Sequence, residues 1–181
     1  QLEQNGACDF VIAFQSNMLE YDKFYTMLPK QQCVSLYRQL SGLNNEGKKA
    51  IGESLAPQRP NIVLITVESL SADFLTRYGN KENLTPQLDK LMQGSIVFDS
   101  LYAAGNRTVR GLEALSLCIP PSAGESIIKR KANRMGNLSI GRILSHLGYK
   151  SQFIYGGDSY FDNMGDFFSH NGYEVIDRKD I

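Results

Sequence analysis

The chain reads as an α/β protein: a mainly parallel sheet with helices on both faces, preceded by a helical segment. Three observations predict this. Residues 62–67 form an almost wholly apolar, β-branched run, the pattern of a strand covered on both faces. Beyond Pro60, strand-like and helix-like patterns alternate, as a parallel sheet with crossover helices requires. Before residue 57 only helical periodicity occurs. The boundary is therefore set there, with a helical hairpin and linker over 1–56 and an α/β body over 57–181.

The elements follow in order. Residues 7–28 carry Phe10, Val11, Phe14, Met18, Tyr21, Phe24, Tyr25 and Leu28, mostly at gaps of three and four, which suits one face of a helix. Pro29 opens a second helix that closes at Ser41-Gly42. Residues 42–59 have linker chemistry, rich in Gly, Asn, Lys and Pro. The strand at 61–68 leads into a helix from Ser71 to Tyr78, with Ser71 as N-cap. Thr85-Pro86 starts a helix that Gly94 ends. A second strand is predicted over 95–103 and a helix over 108–117, stopped by Pro120-Pro121. Residues 139–147 are helical and closed by Gly148, 152–155 form a strand, 161–169 a helix and 173–176 a strand.

Nineteen basic residues balance nineteen acidic ones, which gives no support to nucleic-acid binding. No stretch approaches the roughly 20 apolar residues that span a bilayer, and no signal peptide is visible. The chain begins at Gln1 and is read as a trimmed piece of something longer. Cys8, Cys33 and Cys118 have no zinc-site spacing; Cys8 and Cys33 could pair in an oxidising compartment, but free buried thiols are the simpler expectation.

Ligands of open α/β sheets gather beyond the carboxyl ends of strands, and Glu68 sits at such an end. It is either a metal carboxylate or an acid favoured by a helix N-terminus. Forty residues on, Gly105-Asn106-Arg107-Thr108-Val109-Arg110-Gly111 turns into a helix. Thr108 there is either an N-cap or a nucleophile activated by a metal on Glu68. In the second reading Asn106, Arg107, Arg110 and the first helical amides hold phosphoryl oxygens. Asp158, after Gly156-Gly157, binds a substrate hydroxyl or caps the next helix. Cys118-Ile119-Pro120-Pro121-Ser122 is similar to the Cys-x-Pro-Ser-Arg signature of sulfatases, whose cysteine becomes the formylglycine nucleophile. Pro121 stands in the fourth place and no Arg follows Ser122, so that chemistry is not expected. His146 and His170 fall in last helical turns, where the dipole favours a cation and a structural role.

The strand with Glu68-Ser69, the segment 84–89, the turn 105–111 and Tyr155-Gly156-Gly157-Asp158 occur in one order with Phe161-Asp162-Asn163-Met164 and Asn171-Gly172-Tyr173. That order resembles the lipoteichoic acid synthase and phosphoglycerol transferase family, within the alkaline phosphatase and sulfatase superfamily. The resemblance implies an alkaline phosphatase-like fold, incomplete here. It implies transfer of phosphoglycerol from a phospholipid head group to a glycan or polymer acceptor through a phosphothreonine at Thr108. It implies a divalent metal, manganese or magnesium (zinc in close relatives), on Glu68 and Thr108, with Asp158 lining the glycerol pocket. It places the catalytic domain on the periplasmic or exterior face of the cytoplasmic membrane, anchored through segments outside this chain. The family's remaining ligands, an Asp-His pair, and a further phosphate-binding His would lie beyond Ile181, so the chain alone is expected to be inactive. The synthases also carry Trp and Arg shortly after the aspartate, where this chain has Phe161-Asp162-Asn163-Met164. Phosphoethanolamine transfer, a phosphodiesterase or sulfatase-like hydrolase, and a non-catalytic binding domain are the alternatives.

Overall fold

The computed structural model describes residues 6–15, 21–46, 48, 58–130 and 135–181. The chain divides into two compact units, one drawn from residues 1–19 and 67–181, the other from 20–66.

The smaller unit holds α2 (Tyr21–Phe24) and α3 (Lys30–Ser41); α1 (Gly6–Gln15) belongs to the larger one. The helix predicted over 7–28 crosses residues 16–20, which lie outside the described residues, as does much of the linker over 49–57. Its last turn is not formed: α2 stops at Phe24, because the residues before Pro29 are biased away from helical angles. Gly42 ends α3 in a left-handed conformation (φ 62°), donating to the Gln39 carbonyl while Leu43 donates to that of Arg38.

The larger unit contains α4 (Pro86–Gln93), α5 (Thr108–Leu117), α6 (Ile140–His146), β1 (Gln152–Ile154), α7 (Met164–His170) and β2 (Glu174–Ile176). β1 and β2 pair in parallel with Phe153 opposite Val175, and α7 crosses between them. The helix brings Phe168 flat against Phe153 (centroids 3.8 Å apart, planes 9° apart) and edge-on to Phe167 and Tyr173. Val109 and Leu117 of α5, Ile128, and Met164, Phe167 and Phe168 of α7 form the core. The fold is thus α/β, with a small parallel sheet and helices packed on it.

Asn171-Gly172-Tyr173 turns out to be the joint of this unit. Asn171 is fully buried; it donates to the Phe167 carbonyl at 2.7 Å and accepts the Asn137 amide at 3.0 Å. Ser139 caps α6 by accepting the Arg142 amide at 3.0 Å, and its hydroxyl donates to the Asn171 carbonyl. The Tyr173 hydroxyl accepts the Gly141 amide at 2.9 Å. Gly172 has φ 91°, and a Cβ there would meet the Arg142 amide at 2.7 Å, so only glycine fits.

The elements predicted over 61–68, 95–103 and 71–78 also differ. Residues 61–68 form no strand, and the apolar side chains of the run are exposed, Val63 at 82%. Residues 95–103 likewise form none, with Ile96 at 87%. A doubly covered strand needs ladder partners and helices on both faces, and none of the described residues supplies them. The helix predicted over 71–78 is two successive 3-10 turns, Ala72–Phe74 and Thr76–Tyr78, broken at Leu75, whose angles are extended. Asp89 of α4 fixes the second turn by accepting both the amide and the hydroxyl of Thr76, and it takes the Thr85 hydroxyl as well. Thr85 therefore spends its hydroxyl on Asp89 rather than on capping.

Candidate active site at the start of α5

Glu68 and Ser69 form a tight turn in which Ser69 adopts φ 59°, a left-handed conformation that non-glycine residues seldom take. At the other end of the site, Arg107 is the extended N-cap of α5 (φ −133°, ψ 143°) and Thr108 is its first helical residue. Thr108 is not the cap. Its Oγ1 donates to Glu68 Oε1 at 3.0 Å across forty residues of sequence. Thr108 is half-buried and Glu68 exposed, so the pair lies at the surface with both oxygens on one small volume. The first amides of the helix face outward there, as at any helix start.

Asn106 and Arg107 are exposed beside Thr108, and the Arg107 guanidinium has no carboxylate or carbonyl partner among the described residues. Arg110 is differently placed. Its Nη1 donates to Glu113 Oε2 at 3.1 Å and its Nη2 to the Gly124 carbonyl. Gly105 lets the preceding turn lie on this side chain, since a Cβ there would stand 2.7 Å from Arg110 Cβ. Arg107, Arg110, Lys129, Phe161 and Asp162 line a cavity of about 460 Å³. Lys129 bridges Asp162 at 3.1 Å and Glu125 at 3.5 Å, and the Asp162 hydrogen bond raises its pKa above the ordinary lysine value. Asp162 and Asn163 are both left-handed (φ 53° and 62°), which breaks the helix predicted over 161–169 into a 3-10 turn and α7. Asn163 Nδ2 holds that break by donating to the Ile128 carbonyl at 3.0 Å.

Asp158 lies elsewhere. Its Oδ1 accepts the Tyr160 amide at 3.0 Å, an Asx turn, and Lys179 Nζ stands 3.6 Å from Oδ2. It lines a separate, smaller cavity of about 240 Å³. Nearby Asp177 accepts the Ser159 hydroxyl at 2.6 Å and the amides of Ser159 and Lys179; the hydroxyl bond first, then those amides, hold its pKa down at about 2.

Cys8, Cys33 and Cys118 are free and exposed, not buried. Cys118 takes φ 55° just past α5, and this left-handed turn swings its thiol to the surface. His170 Nδ1 lies 2.7 Å from the Asp166 carbonyl in the last turn of α7, the structural position expected for it. Sequence reasoning missed Glu113, Ser126 and Lys129. The i,i+3 spacing of Arg110 and Glu113 on α5 was a readable sign of their pairing.

Glu68 and Thr108 supply two converging oxygen donors, the donor type that hard divalent cations take. Among the described residues no group of three or more His, Cys, Asp or Glu side chains could hold an ion, so the pair fits as part of a metal site rather than a whole one.

A parallel strand–helix–strand unit, with a hydroxyl on a helix start facing a carboxylate, makes this an α/β chain, and likeness to known proteins supports the alkaline phosphatase superfamily. A crystal structure of a protein in that superfamily from Vibrio parahaemolyticus shares 42% identity and a TM-score of 0.58, over 62% of this chain and 28% of its own. The family described as Sulfatase matches residues 60–180, and the chain belongs to that family. An ulvan-active sulfatase from Formosa agariphila is 29% identical over 91 residues, which are 50% of this chain and 15% of the relative. The chain thus matches less than a third of the length of either relative. Proteins of this superfamily are typically dependent on a divalent metal. Cys118 lies past the far end of α5, roughly 15 Å along the axis from Thr108.

Proposed function

We propose that this chain carries the nucleophile of an enzyme that moves a phosphoglycerol-type head group from a phospholipid to a glycan or polymer acceptor. The observation that supports it best is the hydrogen bond from Thr108 Oγ1 to Glu68 Oε1. In the first half-reaction a bond forms between Thr108 Oγ1 and phosphorus while the phosphorus–oxygen bond to the diacylglycerol breaks. The hydroxyl proton is given up as this bond forms, and the departing diacylglycerol oxygen takes up one proton in exchange. In the second half-reaction the acceptor hydroxyl displaces Thr108, which recovers its proton. Glu68 and Thr108 would hold a divalent cation, manganese, magnesium or zinc, which when bound lowers the hydroxyl pKa and neutralises phosphoryl charge. Arg107 and the first amides of α5 meet the remaining charge on the equatorial oxygens. In this reading the site faces the exterior or the periplasm at the cytoplasmic membrane. Among the described residues no helix is long and apolar enough to cross a bilayer; the reading assigns the anchor to segments outside this chain.

The test uses the full-length protein with phosphatidylglycerol vesicles. Wild type should form a glycerophosphoryl adduct on Thr108, read by mass spectrometry, and Thr108→Ala should lose transfer by at least about 10³-fold. Transfer retained by that variant overturns the proposal. The sulfatase family match favours a second reading, hydrolysis on the same scaffold. Free glycerol phosphate with no acceptor adduct would decide for it, and turnover of phosphatidylethanolamine in place of phosphatidylglycerol would reassign the head group.

A further inference from the structure

The least expected side chain in the larger unit is a carboxylate in its core. Glu113, in the middle of α5, has no exposed surface. Burying a charge is costly, and a buried ion pair can often be replaced by apolar groups without loss of stability. Stability is therefore a poor account of Glu113, and its connections offer a better one. Its two oxygens serve different segments. Oε2 accepts Arg110 Nη1 from its own helix at 3.1 Å, and Oε1 accepts the Ile127 amide of the facing loop at 3.2 Å. Arg110 continues across to the Gly124 carbonyl, and Ser126 Oγ donates to the Val109 carbonyl at 3.3 Å. These bonds fasten residues 124–127 to the first turns of α5. The same loop then presents Lys129 to Asp162 and gives its Ile128 carbonyl to Asn163. Glu113 is itself not part of the cavity lining, whereas Lys129, Phe161 and Asp162 are.

We propose that Glu113 is a positioning residue: through Arg110 and the Ile127 amide it sets the distance between the helix that begins with Thr108 and the Lys129–Asp162 wall of the adjoining cavity. The assignment rests on the reading of Thr108 as nucleophile, and its test is built so that the two can fail separately. With substrate reaching from Thr108 into this cavity, the wall groups would touch bound substrate and transition state alike, so their displacement raises KM more than it lowers kcat.

In the full-length enzyme, Glu113→Gln offers one amide oxygen to two donors, Arg110 and the Ile127 amide. One of them is released. With phosphatidylglycerol vesicles as substrate, KM is expected to rise roughly tenfold with kcat within about threefold. Hydrogen exchange across 124–130 is expected to quicken while α7 stays protected. A second variant, Glu113→Met, replaces the buried carboxylate by an apolar group of similar volume and leaves Arg110 in the cavity wall. It should still show the raised KM, with a melting temperature lowered by the loss of the acceptor for the Ile127 amide. A wild-type KM in Glu113→Met, or unchanged exchange across 124–130 in Glu113→Gln, overturns the proposal. Should wild type turn over no phospholipid, the functional reading fails by itself, and the exchange comparison still decides the clamp.

Discussion

Adding one methyl group at Gly141 tests the packing of the larger unit. A Cβ there would stand 2.4 Å from Tyr173 Cε2, 2.5 Å from Cζ and 2.8 Å from Cδ2. The ring has little room to yield. It lies edge-on to Phe168 with centroids 5.2 Å apart, and its hydroxyl accepts the Gly141 amide at 2.9 Å. Overpacking of this kind costs about 1–3 kcal/mol. Pushing the ring away also loses the amide–hydroxyl bond, worth about 1 kcal/mol. Alanine returns up to about 1 kcal/mol through its better helix propensity. The net is a loss of about 2 kcal/mol, which for a chain of this size lowers the melting temperature by roughly 4–8 °C. Urea and thermal unfolding of Gly141→Ala beside wild type measure it. An alanine variant as stable as wild type would show that the ring moves freely, and that the Tyr173 joint does not fix α6.

The catalytic predictions, loss of transfer in Thr108→Ala and a raised KM in Glu113→Gln, are joined by two on stability. Ser139→Ala removes the α6 cap and the hydroxyl that donates to the Asn171 carbonyl, for a cost of about 2–3 kcal/mol by urea unfolding; a change under about 0.5 kcal/mol contradicts the cap. Asp177 has a folded pKa of about 2 against an ordinary 3.8, so the native state binds fewer protons than the unfolded chain. Its contribution is full above the unfolded pKa and fades as pH falls through 3.8 towards 2 and below. The urea midpoint should therefore fall more steeply across that window in wild type than in Asp177→Asn; equal slopes count against the assignment.

The elements legible in the sequence are those whose ends are written locally. Thr85-Pro86 and Gly94 bound α4, and Ser139 and Gly148 bound α6, where Tyr149 and Gly148 donate to the Leu144 and Ser145 carbonyls. The apolar runs at 62–67 and 96–102 carry no such marks. Their pattern tells only what would cover a strand, and the ladder must come from partners far away in sequence, which the described residues do not include. The site divides the same way. An acid closing an apolar run and a threonine at a helix start are visible as residue types. The burial of Glu113 and the left-handed pair Asp162-Asn163 arise from tertiary packing, and no single-residue propensity announces them.

The bond between Thr108 and Glu68 joins residues forty apart, with no local turn to bring them together. It closes only after the intervening polypeptide has found its native path. An alcohol on an unfinished or unravelled chain is no more reactive than any other threonine. On the reading proposed above, reactivity is thereby withheld until folding is complete.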